Sequence, residues 1–221
     1  MCVNVDRFIK DKEIKKKMRN IGHEIDYDNK IDKKRFAGLK ENIRLTNDIL
    51  VIINEDNKPK FSVMKWGIKF SPVSPIIFNS RIETIRDEKR WKTIFTKQRC
   101  LVPVTGFIEY RKLENDPPET KEFKKQHKIK NKTQIRITLE EEEFFFIPSI
   151  YVTLKDGNNY NSLITTEPNK TMKFIPYHRM CAIAKPVDAL DLIFNEPDWC
   201  IDKIQPFDEK EKMKTEQVTE I

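Results

Sequence analysis

The sequence predicts an α+β domain built on a largely antiparallel sheet. Three observations predict it. β-branched and aromatic runs bounded by turn residues fill the middle of the chain, hairpin signals join them in sequence, and the helical patterns lie towards the edges. At 221 residues the chain is long enough for one sizeable core and short for two.

Residues 7–20, RFIKDKEIKKKMRN, space Phe8, Ile9, Ile14 and Met18 along one face and predict a short amphipathic helix with a basic outer face. Residues 21–48 read as polar and irregular. ILVIIN at 49–54 is a buried strand; after the turn NEDNKPK, FSVMKWGIKF returns as a second, so 49–70 forms a hairpin. SPVSP is a breaker-rich connection. Residues 82–96 predict a helix with Trp91, Ile94 and Phe95 inward, and CLVPVTGFIEYRKL a strand, a glycine bend and another strand. Residues 114–134 hold almost nothing to bury and read as an exposed excursion. After the acidic run Glu140 to Glu143 comes FFFIPSIYVTL, apolar on both faces, then the hairpin turn DGNN and the returning strand YNSLITT. Short helices are expected at 186–196 and 208–214, with a frayed end. One domain over 1–205 and a C-terminal helix or tail over 206–221 follow.

The formal net charge of +7 allows a polyanionic partner without requiring one. No apolar run reaches the ~18–20 residues that span a membrane, and Lys and Asp interrupt the N-terminus before any signal-peptide core forms. These features predict a cytoplasmic protein. Cys2, Cys100, Cys181 and Cys200 show no metal-ligand spacing, so no metal, cofactor or disulfide is expected.

Chemistry gathers at five places. Cys2 follows Met1; if the methionine is trimmed, Cys2 carries an amine and a thiol on adjacent carbons, with pKa near ~7.7–8.0 and ~8.5. Such a 1,2-aminothiol condenses with an aldehyde to a Schiff base and closes to a thiazolidine. In FNSRIET, Asn79 offers an amide and Arg81 a forked cation suited to phosphate, or both are ordinary strand-end residues. In RCLVPVTGFIEYRK, Glu109 stands among bulky apolar neighbours, where burial makes a carboxyl a proton donor at neutral pH, unless it points outward. Thr165 and Thr166 either cap a helix or bond a ligand. His178 lies beside the apolar strand CAIA, as a structural residue or a catalyst.

Met1-Cys2, Trp66-Gly67, Asn79-Ser80-Arg81-Ile82-Glu83-Thr84, the 99–110 block and Arg179-Met180, in this order, resemble the SOS-response-associated peptidase (SRAP) family over residues 1–200. The resemblance implies a curled, barrel-like antiparallel sheet with flanking short helices. It implies covalent attachment of Cys2 to abasic sites in single-stranded DNA, by a monomer, as part of the DNA damage response at the nucleoid. By position, Cys2 is the nucleophile, Asn79 positions the lesion or the N-terminus, and Glu109 handles protons. Arg81, Trp66, Thr166 and Arg179 are assigned to the DNA, and His178 to catalysis. The family's name reflects proposed removal of its own initiator methionine. Two other readings fit the same residues: an N-terminal-cysteine peptidase, and a non-catalytic single-stranded DNA-binding module. This chain departs from the usual Met-Cys-Gly-Arg start, lacks the second tryptophan after Trp66-Gly67, and has Ser80 where alanine is usual. It also has Cys181 after Arg179-Met180 where the family has proline. The family histidine aligns with Pro176 or Tyr177, leaving His178 adjacent.

Overall fold

The computed structural model describes residues 4–28, 31–126, 132–174, 178–208 and 212–218. The first strand, β1 (Asn4–Asp6), leads into helix α1 (Asp11–Asn20), whose buried face carries Ile14 and Met18 as the 3.6 period requires. Residues 21–48 are more ordered than their polarity suggests, holding β2 (Asp26–Tyr27), α2 (Lys33–Ala37) and β3 (Asn42–Arg44). Each is two to five residues long, too short for a periodic signal, and is fixed by pairing and by Asp32, which caps α2 through Lys34 and Arg35 N–H groups.

The expected hairpin is β4 (Asp48–Glu55) and β5 (Lys58–Trp66). Its two turn residues, Asp56 and Asn57, have φ of 54° and 58°, the left-handed pair of a type I′ turn that matches strand twist. After β6 (Asn79–Arg81), the expected single helix is two, α3 (Ile82–Asp87) and α4 (Lys89–Lys97). Glu88 breaks them with an extended backbone, φ −100° and ψ 119°. Phe95 is buried, while Trp91 and Ile94 pack at the core's margin. Then come β7 (Arg99–Val104) and β8 (Gly106–Arg111) around the expected bend.

The excursion is not empty. It contains α5 (Pro118–Gln126) and ends in β9 (Thr133–Leu139), held down by a buried polar cluster in place of apolar residues. Asp116, with a fully buried side chain, accepts from Arg111 Nε (2.8 Å), Lys124 Nζ (3.0 Å) and Thr133 Oγ1 (2.6 Å). β10 (Phe145–Thr153), β11 (Asn159–Thr166) and the turn between them, with Gly157 at φ 76°, follow expectation. Beyond lie α6 (Lys170–Phe174), β12 (Met180–Cys181), α7 (Pro186–Ala189), α8 (Asp191–Phe194) and α9 (Pro197–Lys203). The C-terminal helix expected at 208–214 is corrected: β13 (Met213–Val218) is a polar edge strand antiparallel to β9. Its pairing partner lies some 80 residues earlier, so local pattern carries no trace of it.

Among the described residues, β11, β10, β7, β4 and β5 pair in sequence, and a parallel β5–β11 contact closes them into a ring. A second sheet has the order β13-β9-β8-β1-β3. Leu50, Ile52, Phe61, Leu101, Ile150 and Ile164 face the helices, and a five-stranded ring has no room for helices inside, so this is its outer face. The inner face, with Val51, Met64, Trp66, Val102, Ile147 and Leu163, shares one core with Val5, Phe107 and Ile137 of the second sheet. No described helix is long and apolar enough to cross a membrane.

Candidate functional site

Strand pairing gathers distant motifs at one end of β11. β6 runs parallel to it in the register Leu163↔Asn79, Ile164↔Ser80 and Thr165↔Arg81. β12 runs antiparallel on it, Thr165↔Cys181 and Thr166↔Met180. The Ser80 and Ser162 hydroxyls meet at 2.8 Å and tie β6 down. Motifs around 79, 165 and 179 thereby become neighbours.

An open cleft of about 480 Å³ follows, lined by Arg81, Glu167, Pro168, Lys173, His178 and Arg179. Arg81, Lys173 and His178 are exposed. Arg179 is half-buried and committed to the protein. Its guanidinium grips both oxygens of Glu83 and also donates to the Thr165 carbonyl. Burial pushes the Glu83 carboxyl up, but the Arg179 hydrogen bond, a backbone hydrogen bond and the charges of Arg179 and Arg81 outweigh it and hold the group below its usual range. The cleft suits an anion: an exposed forked cation and a lysine stand beside an imidazole.

Glu109 lies on β8 in the second sheet. Alternation puts it on the same face as Phe107, and its register partner Ile135 belongs to the inner core. Only 1% of its surface is exposed. Desolvation pushes its carboxyl up to about 7. β1 lies beside it, with Asn4↔Ile108, Val5↔Phe107 and Asp6↔Gly106. The Asn4 amide donates to the Tyr110 hydroxyl over 2.7 Å.

The sequence-predicted residues separate into distinct environments. Arg81, His178 and Arg179 share the cleft, and Asn79 sits two residues before Arg81, half-buried. Thr166 is fully buried and its hydroxyl donates to the Glu167 carbonyl, so it supports the cleft wall without facing solvent. Trp66, assigned to the DNA by resemblance, has no exposed surface; its indole N–H donates to the Phe78 carbonyl at 2.9 Å. An indole so enclosed offers no ring face to a base, and its role is in the core. Cys2, Pro176 and Tyr177 lie outside the described residues. Cys100, Cys181 and Cys200 are buried, free thiols. Among the described residues no group of His, Cys, Asp and Glu is arranged to hold a metal. Sequence reasoning missed Lys173, Glu83 and the Asn4–Tyr110 pair. Glu83 stood inside the quoted FNSRIET motif, whereas Lys173 carried no local signal.

A family model described as SOS response associated peptidase (SRAP) matches residues 1–220. The abasic site processing protein YoaM of Bacillus subtilis (strain 168) is 26% identical over 143 residues, 61% of this chain. The chain spans 57% of YoaM's length. The abasic site processing protein YoqW of the same organism is 25% identical over 192 residues, 81% of this chain and 79% of YoqW. A crystal structure of a protein from Bacteroides thetaiotaomicron shares the fold at a TM-score of 0.70 and 22% identity, covering 99% of this chain and 92% of that one. One from Bordetella bronchiseptica does so at 0.69 and 14%, covering 99% and 100%.

Proposed function

This chain belongs to the SOS response associated peptidase (SRAP) family, and we propose that it processes abasic sites in single-stranded DNA by capturing them covalently through Cys2. The observation that carries this reading is the pairing of β1 with β8. It anchors Asn4 beside the strand that bears Glu109. Cys2 is two residues from Asn4, so chain connectivity alone keeps its Cα within about 7 Å of Asn4's. An aminothiol and a buried carboxyl that holds a proton near neutral pH are the two groups that condensation with an aldehyde needs.

In the proposed reaction the abasic deoxyribose opens to its aldehyde and the Cys2 amine adds to C1′. The carbinolamine loses its hydroxyl as water, taking the proton of the Glu109 carboxyl. The Cys2 sulfur then adds to the iminium carbon, and its proton returns to Glu109. Amine and thiol share one residue, so ring closure is intramolecular and needs no second encounter. Arg81 and Lys173 neutralise backbone phosphate in the cleft, Asn79 orients the sugar or the N-terminus, and His178 assists ring opening. Arg179 acts from behind, holding the cleft wall. The protein works as a monomer in the cytoplasm, at the nucleoid when bound.

The test is a denaturing gel of the purified protein with single-stranded DNA bearing one abasic site, after mass spectrometry shows that the chain begins at Cys2. A shifted band that needs the abasic site and disappears in Cys2→Ala is the expected result. Salt-sensitive binding with no such band leaves a non-covalent DNA-binding module. Cys2-dependent cleavage of peptides without DNA leaves a peptidase.

A further inference from the structure

β8 presents different residues on its two faces. Phe107 and Glu109 point to the inner core, while Ile108 and Tyr110 take the opposite face. Asn4 is in register with Ile108, so Asn4 and Tyr110 are diagonal neighbours on that second face. Their 2.7 Å hydrogen bond adds a side-chain clamp to the backbone ladder at the first residue of β1.

The strand that carries the clamp is itself braced. Arg111, next to Tyr110, is paired in register with Thr133 and hydrogen-bonded to the buried Asp116, which Lys124 also grips. Lys124 closes the cluster with a 2.6 Å bond to Thr133 Oγ1. The segment read from sequence as an excursion thus fixes the end of β8. Tyr110 stands on a strand that has little freedom to shift.

We propose that Tyr110 is a positioning residue for Cys2, acting through Asn4. The role rests on the covalent reading given above. A group two residues from a clamped amide has a restricted range, and restricting an aminothiol near its target raises its effective concentration there without altering its intrinsic reactivity. In this role Tyr110 acts through Asn4 and takes no part in making or breaking bonds.

The experiment compares the wild-type chain, Tyr110→Phe and Asn4→Ala, each shown by mass spectrometry to begin at Cys2. Three quantities are read: the single-turnover rate of cross-linking at saturating abasic single-stranded DNA, the affinity for the same oligonucleotide with an intact base, and the rate of thiazolidine formation with free glyoxylate. Tyr110→Phe is expected to slow cross-linking by roughly fivefold, the net worth of one hydrogen bond, and to leave the other two unchanged. Asn4→Ala should reproduce the defect, and the double variant should add nothing to it. Cross-linking at the wild-type rate in Tyr110→Phe overturns the role, as do fully additive defects. An equal slowing of the glyoxylate reaction overturns it too, because positioning does not act on a free aldehyde. A wild-type chain that forms no DNA adduct overturns the covalent reading itself and this role with it.

Discussion

Arg179 and Glu83 are joined by two parallel hydrogen bonds, 3.1 and 2.7 Å, while the same guanidinium donates a third, 2.7 Å, to the Thr165 carbonyl. One side chain therefore ties the start of α3, the end of β11 and the approach to β12 into a single wall of the cleft.

Replacing Arg179 by lysine keeps the charge and loses the fork. We expect Arg179→Lys to destabilise the protein by about 1–2 kcal/mol, measured as a shift in urea midpoint at unchanged m-value. Glu83 has a depressed folded pKa. Its contribution is fully present above the unfolded value of about 4.3 and is lost as pH falls through the lower folded value. Glu83→Gln should remove that acid-limb loss, and urea titrations at several acidic pH values would show it.

Glu109 behaves in the opposite sense. Its folded pKa, about 7, is above the unfolded value, so the native state holds more protons between the two. Wild-type stability should fall relative to Glu109→Gln by a few kcal/mol as pH rises from about 4.3 to about 7, and level off above. Cross-linking should slow above pH 7 as the proton is lost. In Glu109→Gln it should be slower by about 100-fold and lack that descending limb. A pH series of single-turnover rates checks both.

Arg81 is exposed in the cleft, in register with Thr165. Removing a phosphate contact from a single strand reduces the slope of log affinity against log salt by about 0.7. Arg81→Ala should show that reduction in fluorescence anisotropy across a salt series, weakening binding to all sequences alike. An unchanged slope would place the phosphates elsewhere.

Asp116 is the carboxylate between Arg111 and Lys124, with its side chain fully buried. Asp116→Asn leaves two cations facing each other without their counter-charge and should destabilise the fold by about 3–5 kcal/mol. Denaturant unfolding measures the loss. Asp116→Asn combined with Lys124→Met should recover part of it, because the second change removes one of the stranded charges.

The sequence by itself determined the class of the fold, most of its strands and the family. Hairpins between neighbouring segments, such as β4–β5 with Asp56-Asn57 and β10–β11 with Gly157, are legible because both partners and the turn lie within about twenty residues. Cys2, Asn79, Arg81 and Glu109 were legible as candidate site residues because each stands in a motif. Tertiary structure alone decided the rest. It chose between the two open readings of Glu109, because whether a strand residue faces a core depends on the sheet that covers it. It enclosed Trp66, committed Arg179 to Glu83 and turned the polar excursion into a brace around Asp116. It made β13 a strand by offering β9 as a partner. In each case the deciding neighbour lies far along the chain or is a charge, and neither hydrophobic period nor local propensity records such a neighbour.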